Sequence, residues 1–265
     1  MLGVEIDKWV TEIQDKWTQI PLFEIDPQKL RHLAIICDGN RRAARERGLP
    51  DFLGHQAGVE TILGIAQAGR YWGINTLTFW VWSTENWERD KRQINFVMRL
   101  ARERLSADKF KEELAENEVR FKYFGRSDRL PAMLRAKISV LENFTESFNR
   151  YHLNLAMDYG GLDEIGRAMI KMGGKNQRGE FDFARLRNDP RLLLDFLDTA
   201  GQPNPDLVIR TGVREDEVAH TSGFMPLQTA YAGWMFLPDL FPNLTPERLL
   251  SSIQQFVGYE RRLGR

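Results

Sequence analysis

The sequence predicts a single α/β domain in which a mostly parallel central sheet is flanked by helices. Short apolar runs of strand length recur along the chain, and longer segments with helical spacing of apolar residues lie between them. Neither an internal repeat nor a low-complexity linker interrupts this alternation. Strands that are separated by helices pair in parallel through crossover connections. A chain of 265 residues is also long enough to bury a substantial core.

The predicted strands are the apolar runs at residues 33–37, 76–82, 119–124, 153–157, 207–209 and 234–237. The predicted helices are residues 58–71, 94–114, 132–148, 164–172 and 246–263. Thr245, Pro246 and Glu247 open the last helix with a cap and a proline in the first turn. We expect residues 173–180 to form a polar loop. We also expect a helical extension over residues 1–30, able to move relative to the main domain over residues 31–265.

Composition limits the classes of partner. Lysine plus arginine and aspartate plus glutamate both number 37, so the net charge is zero and nucleic acid is not an expected partner. The single cysteine, Cys37, cannot form an internal disulfide, and the start of the chain does not resemble a signal peptide, which together indicate a cytoplasmic protein. No run approaches the roughly 20 apolar residues of a membrane-spanning helix. Membrane contact is therefore expected to be peripheral at most.

The first polar loop, Asp38-Gly39-Asn40-Arg41-Arg42, directly follows the first strand. Ligands of open parallel sheets bind beyond the carboxyl ends of the strands. Gly39 permits a tight turn, the two arginines suit phosphate oxygens, and Asp38 among cations suits Mg²⁺ bound to a diphosphate. The spacing alone is equally compatible with Asp38 capping a helix and the arginines lying in solvent.

The second polar loop, residues 83–89, combines a cation with aromatic side chains. Asn86 and Arg89 lie close in sequence to the tryptophans Trp80, Trp82 and Trp87. A cation for a diphosphate beside an aromatic wall suits a reaction in which a carbocation forms as diphosphate leaves. The alternative is that the tryptophans belong to the core and Arg89 pairs with Glu85, four residues earlier.

A histidine between two glycines forms the third signal. Gly54-His55 and Gly58 begin the helix that follows the first loop. This position places the imidazole near whatever the first loop binds, although a lone histidine is more often structural.

Together these motifs resemble the signatures of the cis-prenyltransferases. The first signature covers residues 32–44 with Gly54, His55 and Gly58, and the second covers residues 77–89. Further similar stretches are residues 205–212, 228–232 and 259–264, together with Asn154 and the Asp-Tyr-Gly-Gly run at 158–161. The chain is identified as a member of this family from about His32 to Gly264.

The resemblance implies a homodimer, a hydrophobic tunnel for a growing chain, and a Mg²⁺-dependent condensation of isopentenyl diphosphate with an allylic diphosphate. By resemblance, Asp38 binds the metal, and Asp38 and Asn86 are the catalytic residues, with Ser83 near the reacting carbon. The residues implied for the allylic diphosphate are Gly39, Asn40, Arg41, Arg42, His55, Ser83, Thr84, Glu85, Trp87 and Arg89. The residues implied for isopentenyl diphosphate are Arg210, Arg214, His220 and Ser222.

The chain also departs from the family pattern. Ala43 replaces a tryptophan, Asp51 replaces an arginine, and Gly233 replaces the glutamate that supplies a second metal carboxylate. The loop after Arg210-Thr211-Gly212 is four residues longer, and within it His220 falls on an arginine position.

Two hypotheses follow for the second substrate. In the first, the longer loop compensates, with Arg214 as the cation and Glu215, Asp216 or Glu217 as the carboxylate, and the ordinary condensation is retained. In the second, the enzyme ionises a single prenyl diphosphate, as in a terpene cyclase or an irregular coupling enzyme. A non-catalytic partner subunit is disfavoured because the first loop retains its aspartate. The product length and the preferred starter depend on packing that the sequence does not specify.

Overall fold

The computed structural model describes residues 2–259 and contains one six-stranded sheet. The strands are β1 (His32–Ile36), β2 (Thr76–Ser83), β3 (Val119–Phe124), β4 (Tyr151–Tyr159), β5 (Leu207–Arg210) and β6 (Gly233–Phe236). Their order is β3-β4-β2-β1-β5-β6, and every neighbouring pair is parallel. The predicted α/β class and all six strands are confirmed.

The register of the central strands places the polar loops at one edge of the sheet. Ile36 of β1 pairs with Trp80 of β2 and with Arg210 of β5. The residues that follow Ile36 therefore emerge beside Arg210 and beside the end of β2. Because these strands are parallel, the loops after them meet at the carboxyl edge, as the sequence predicted.

The helices flank the sheet. They are α1 (Leu2–Lys16), α2 (Asn40–Glu46), α3 (Leu53–Tyr71), α4 (Lys91–Leu105), α5 (Asp108–Glu116), α6 (Ala132–Phe144), α7 (Gly161–Gln177), α8 (Ala184–Asn188) and α9 (Pro246–Gly258). None of the helices within residues 2–259 is long and apolar enough to cross a membrane.

The single helix predicted over residues 94–114 is wrong, because the chain breaks between α4 and α5. The Ser106 hydroxyl donates to the carbonyl of Arg102 at 2.6 Å, and Ala107 adopts an extended conformation. A serine that bonds to its own preceding turn competes with the helical ladder and favours an end there. The two helices then pack separately, and Leu105 and Leu114 are both buried.

The loop predicted over residues 173–180 is also wrong at its start, because α7 continues to Gln177. Ala168 and Met172 of α7 are buried against Phe181 and Phe196. This packing lets α7 continue past Gly173 and Gly174, although each glycine lowers helix stability by about 1 kcal/mol.

Two further helix ends differ from the predictions. The helix predicted over residues 132–148 ends at Phe144, where the Thr145 hydroxyl donates to the carbonyl of Leu141. The last helix is seen to Gly258, and its predicted end at residue 263 lies outside the described residues.

The amino-terminal helix α1 belongs to the same core as the sheet. Trp9, Ile13 and Trp17 are buried, and α1 packs on α3. A Cβ atom at Gly64 of α3 would overlap the Trp17 ring. Within the predicted extension over residues 1–30, the helix ends at Lys16, and its apolar face packs on α3.

An apolar cavity of about 260 Å³ lies between α3, α4 and the sheet. Its walls include Ile62 of α3, Val97 of α4, Phe79 of β2 and Leu155 of β4. The resemblance implies a hydrophobic tunnel, and this apolar cavity is a candidate for it.

Candidate active site

A polar pocket of about 760 Å³ lies at the carboxyl edge of the sheet. It brings together most of the residues that the sequence predicted for two diphosphate sites. The predicted residues that line it are Asp38, Gly39, Asn40, Arg41, Arg42, His55, Ser83, Glu85, Asn86, Arg89, Arg210, Arg214 and Ser222. The tertiary structure thus joins the first, second and fifth strand loops into one pocket.

Three predicted residues lie just outside the lining of this pocket. The Thr84 hydroxyl donates to the Glu85 carboxylate at 2.9 Å. Trp87 packs edge-on against Trp82, with ring centroids 6.1 Å apart. His220 contacts the pocket residue Arg210 and supports it from outside the pocket.

Asp38 is the acidic centre of the pocket and is held by cations on both sides. Its Oδ2 accepts from Nη2 of Arg210 at 3.1 Å, and its Oδ1 lies 3.5 Å from Nη2 of Arg42. Oδ1 also accepts from the backbone N–H of Gly39 at 2.6 Å. The side chain is 41% exposed, so the carboxylate remains accessible from the pocket. Because Gly39 and not Asp38 is the N-cap of α2, the helix-capping alternative for Asp38 is wrong.

Arg42 is fixed by the chain that follows β5. Its Nη2 donates to the carbonyl of Gly212 at 2.5 Å. Gly212 has a φ of +71°, a region that favours glycine, and a Cβ at this position would come within 2.6 Å of Arg42 Nη2. The glycine of Arg210-Thr211-Gly212 therefore leaves the space that Arg42 occupies.

Arg210 is buried at the floor of the pocket. Its Nη1 donates to the carbonyl of His220 at 2.6 Å and to Oγ of Ser222 at 2.9 Å. Its Nε is buried and has no hydrogen-bond partner among the described residues. The longer loop after β5 thus folds back onto the arginine that the sequence assigned to isopentenyl diphosphate.

The loop after β2 is rigid because it closes on itself. Residues Thr84–Glu88 form a 3-10 turn whose entrance is a capping box: the Ser83 hydroxyl accepts from the backbone of Asn86, and Asn86 Oδ1 accepts from the backbone N–H of Ser83. The amide oxygen of Asn86 is committed to this bond, which leaves its NH₂ group as the donor available to a substrate.

Arg89 lies over the Trp82 ring with its guanidinium carbon 5.2 Å from the centroid. Glu85 instead accepts from Thr84, so the predicted alternative of an Arg89–Glu85 pair is not what the structure contains. Burial and the nearby Arg41 lower the pKa of Arg89 to about 10, which still leaves it protonated at neutral pH. Trp80 and Trp82 are buried and also line the pocket, so their core and site roles coexist.

His55 is a neutral imidazole. Burial, with smaller contributions from Arg89 and Arg41, lowers the pKa of His55 to about 3. Its Nε2 lies 3.3 Å from the amide nitrogen of Gln93. Because that nitrogen can only donate, Nε2 is the acceptor and the ring proton is on Nδ1.

The polar pocket opens toward the apolar cavity. Cys37, Asn40 and His55 line both spaces. A molecule with an anionic head and an apolar tail can therefore occupy both at once.

The loop inserted after β5 reaches the pocket through two of its charged residues. Arg214 and Glu217 line the pocket, whereas Glu215 and Asp216 do not. Arg214 also pairs with Asp216 at 3.1 Å in an exposed arrangement. Among the three acids of the insert, the structure singles out Glu217 as the one at the pocket.

Gly233 lies away from Asp38 within the same chain. It pairs with Leu207 at the start of β5, whereas Arg210 at the end of β5 pairs with Phe236. A Cβ at Gly233 would come within 2.7 Å of the Phe256 ring. The position that departs from the family pattern is thus at the amino edge of the sheet and packed by α9.

Sequence reasoning missed Arg45 and Gln93. Arg45 lines the pocket and lies 3.4 Å from Asp51, so a cation accompanies the charge reversal at position 51. Its spacing of four residues from Arg41 on one helix could have indicated it. Nothing in the local sequence connects Gln93 to His55.

Comparison with known proteins decides the family. The sequence profile of the prenyltransferase family described as undecaprenyl diphosphate synthase matches residues 36–264. The chain belongs to this family of cis-prenyltransferases. It is therefore a prenyl-transferring enzyme. This cis-prenyltransferase is 36% identical over 243 residues to an isoprenyl transferase of Clostridium tetani, which covers 91% of this chain and 92% of the relative.

Two other relatives agree. An isoprenyl transferase of Agrobacterium fabrum is 34% identical over 233 residues, covering 88% of this cis-prenyltransferase and 91% of the relative. Lavandulyl diphosphate synthase from Lavandula x intermedia, solved in complex with dimethylallyl diphosphate, has a TM-score of 0.81 and 31% identity. That comparison covers 91% of this chain and all of the neighbour.

Proposed function

We propose that this enzyme condenses isopentenyl diphosphate with an allylic prenyl diphosphate, in the presence of Mg²⁺, to make a Z-configured polyprenyl diphosphate. The observation that carries the proposal is the junction of a pocket rich in arginine with an apolar cavity at Cys37, Asn40 and His55. The allylic head group lies in the pocket and its tail in the cavity. A solved relative that binds dimethylallyl diphosphate supports this class of substrate.

The pocket offers cations on either side of Asp38. We assign Arg41, Arg42 and Arg89 to the allylic diphosphate, together with His55, whose Nδ1–H is available to donate. We assign Arg210 and Ser222 to isopentenyl diphosphate, with Arg214 nearby on the inserted loop. His220 positions Arg210 through its carbonyl group, 2.6 Å from Nη1.

Catalysis by these residues is electrostatic. As the bond between the allylic carbon and its diphosphate breaks, negative charge grows on the leaving group, and preorganised arginines stabilise that charge more than they stabilise the intact substrate. The tryptophan faces next to Arg89 provide an aromatic surface for the cationic carbon. The double bond of isopentenyl diphosphate attacks that carbon, and the resulting cation loses a proton to an oxygen of the departing diphosphate, which forms the new double bond.

The acidic residues fit a magnesium ion bound together with substrate. Among residues 2–259, no three histidine, cysteine, aspartate or glutamate side chains gather into a preformed metal site. Magnesium is commonly held by one or two carboxylates, waters and substrate phosphates, and Asp38 with Glu217 could supply the carboxylates. When bound, the ion would neutralise diphosphate charge.

A homodimer is part of the proposal. Leu162, Met169 and Ile170 are 84%, 62% and 76% exposed and lie on one face of α7. Gly166 and Gly173 fall on the same face and leave it open to close approach. Such an apolar stripe is typical of a surface that another copy covers. We also propose a cytoplasmic location, consistent with a lone and largely buried thiol at Cys37.

The deciding experiment measures diphosphate release from farnesyl diphosphate with and without isopentenyl diphosphate. Release that depends strictly on isopentenyl diphosphate, with a chain longer by whole isoprene units, supports condensation. Release without it, accompanied by a cyclic or hydrolysed product, overturns the proposal. Asp38→Ala serves as the inactive control, because an exposed loop carboxylate can be removed without disturbing the core.

A further inference from the structure

Charged and polar side chains lie where the apolar cavity borders a second groove. A groove beside α1, open to solvent, shares part of its lining with the cavity. The residues that line both are Gln14, Glu60, Leu63, Arg70, Lys109 and Glu113. Only one of them, Leu63, is apolar, so the partition between cavity and groove is polar although the rest of the cavity is largely apolar.

Two ion pairs build this partition. Nη2 of Arg104 lies 2.5 Å from Oε1 of Glu60, and Gln14 donates to Oε2 of Glu60 at 2.8 Å. The Glu60 side chain is only 3% exposed. Arg70 and Glu113 form the second pair at 2.6 Å. We refer to Gln14, Glu60, Arg70, Arg104 and Glu113 as the polar wall.

The helix α1 completes the polar wall, and it precedes the part of the chain that matches the family, residues 36–264. Gln14 of α1 donates the hydrogen bond to Glu60. Trp17, the residue after α1, packs against Gly64 of α3. The position of α1 is therefore fixed at the wall.

We propose that the polar wall, completed by α1, limits the length of the prenyl chain that this enzyme makes. The proposal rests on the proposed function. Each condensation pushes the apolar tail deeper into the cavity. To pass into the outer groove, the tail would have to separate the buried Glu60 carboxylate and the mostly buried Arg70 from their partners without replacing their hydrogen bonds, which is unfavourable. Growth therefore stops at the wall.

The test is the double variant Glu60→Leu with Arg104→Leu. Removing both partners leaves no unpaired buried charge, so the fold should survive. The control is Arg99→Leu with Glu103→Leu, an exposed ion pair at 3.8 Å on the same helix α4. Product length is read by mass spectrometry after incubation with farnesyl and isopentenyl diphosphates.

We expect the main product of the wall variant to be longer than that of the wild type by at least one isoprene unit. The control should give the product of the wild type. Gln14→Leu should shift the product in the same direction by less, because it removes only the contribution of α1. A folded wall variant with the wild-type product distribution overturns the proposal. If the wall variant changes the product length and Gln14→Leu does not, α1 has no part in limiting the chain.

A binding measurement separates this proposal from the proposed function. Thiolo analogues of prenyl diphosphates, which do not ionise readily, are titrated by calorimetry with increasing tail length. In the wild type, the affinity should rise with tail length up to a limit and then stop rising. In the wall variant, the affinity should continue to rise beyond that tail length. This readout needs no turnover, so it tests the wall even if the wild type forms no condensed product. The same limit in both proteins would show that the wall does not set it.

Discussion

Gly58 lies directly against the side-chain amide of Asn40, so closely that a Cβ at position 58 would overlap Asn40 Oδ1. Gly54, one turn earlier on α3, lies in the same way against the backbone carbonyl of Asn40. The Asn40 amide nitrogen donates to the carbonyl of Cys37 at 2.8 Å. The two glycines flanking His55 are therefore needed for space, and they bring the imidazole and Asn40 to the junction of pocket and cavity.

We expect Gly58→Ala to lower kcat/KM by at least about tenfold, because a displaced Asn40 misplaces the substrate at the junction. Alanine favours a helix interior over glycine by up to about 1 kcal/mol, so a loss here is steric. Gly3→Ala on α1 is the matched control, since Gly3 is exposed and nothing lies within 4 Å of its Cβ. It should leave activity unchanged. Equal activity in both variants would contradict the close contact.

The assignment of arginines to two diphosphate sites predicts different kinetic effects. Arg42→Ala or Arg89→Ala should raise the KM for the allylic substrate by roughly 10- to 100-fold, as expected for a lost charged hydrogen bond. Arg210→Ala should act mainly on the KM for isopentenyl diphosphate. Steady-state kinetics with each substrate varied in turn checks this. The same pattern in all three variants would rule out two separate sites.

The inserted loop should influence the metal through Glu217 alone. Glu217 lines the pocket, and Glu215 does not. We expect Glu217→Ala to raise the Mg²⁺ concentration that gives half-maximal activity, and Glu215→Ala to leave it unchanged. Activity measured across a magnesium titration makes the comparison. If neither variant differs from the wild type, the insert has no part in metal binding.

Restoring the family glutamate at position 233 should not improve this enzyme. The Phe256 ring fills the space next to Gly233, and this glycine begins β6 beside Leu207. We expect Gly233→Glu to lower the free energy of unfolding by about 1–3 kcal/mol, as other overpacked sites do. Urea unfolding and activity are measured together. A stable variant with higher activity would mean that Phe256 moves aside easily.

Stability should fall in mild acid because the buried His32 and the partly buried His55 are both neutral in the folded protein. Burial is the main cause that lowers the pKa of His32 to about 4 and that of His55 to about 3. In the unfolded chain both titrate near 6.5, so between these values the unfolded state binds more protons and the folded state loses stability as pH falls. From about pH 7 to pH 5 we expect a loss of about 2 kcal/mol per histidine.

Urea unfolding of the wild type and of His55→Asn at both pH values checks this expectation. The variant should lose the part of the pH dependence that His55 contributes. His32, whose Nδ1 lies 2.7 Å from the carbonyl of Pro203, should retain its own part, together with His152, whose pKa burial also lowers. An unchanged pH dependence in the variant would show that His55 is not buried in neutral form.

Local sequence pattern was enough to predict the strands, the class of the sheet and most of the pocket residues. Apolar runs bounded by polar loops depend on local pattern, and the loop after a parallel strand always emerges at its carboxyl end. Asp38, Arg89 and Arg210 are therefore predicted at one edge of the sheet from their positions after the strands. The break before α5 and the length of α7 could not, because a serine side chain and the burial of Met172 decided them.

Which of these residues touch depends on the fold as a whole. The bond from Arg42 to Gly212 joins residues 170 apart, and the pair of Asp38 and Arg210 joins residues 172 apart. Such contacts depend on strand register and on the fold of the loop after β5, which no local pattern encodes. The same holds for α1: its apolar face was visible in the sequence, but its place behind the cavity depends on the surface of α3 that receives Trp17.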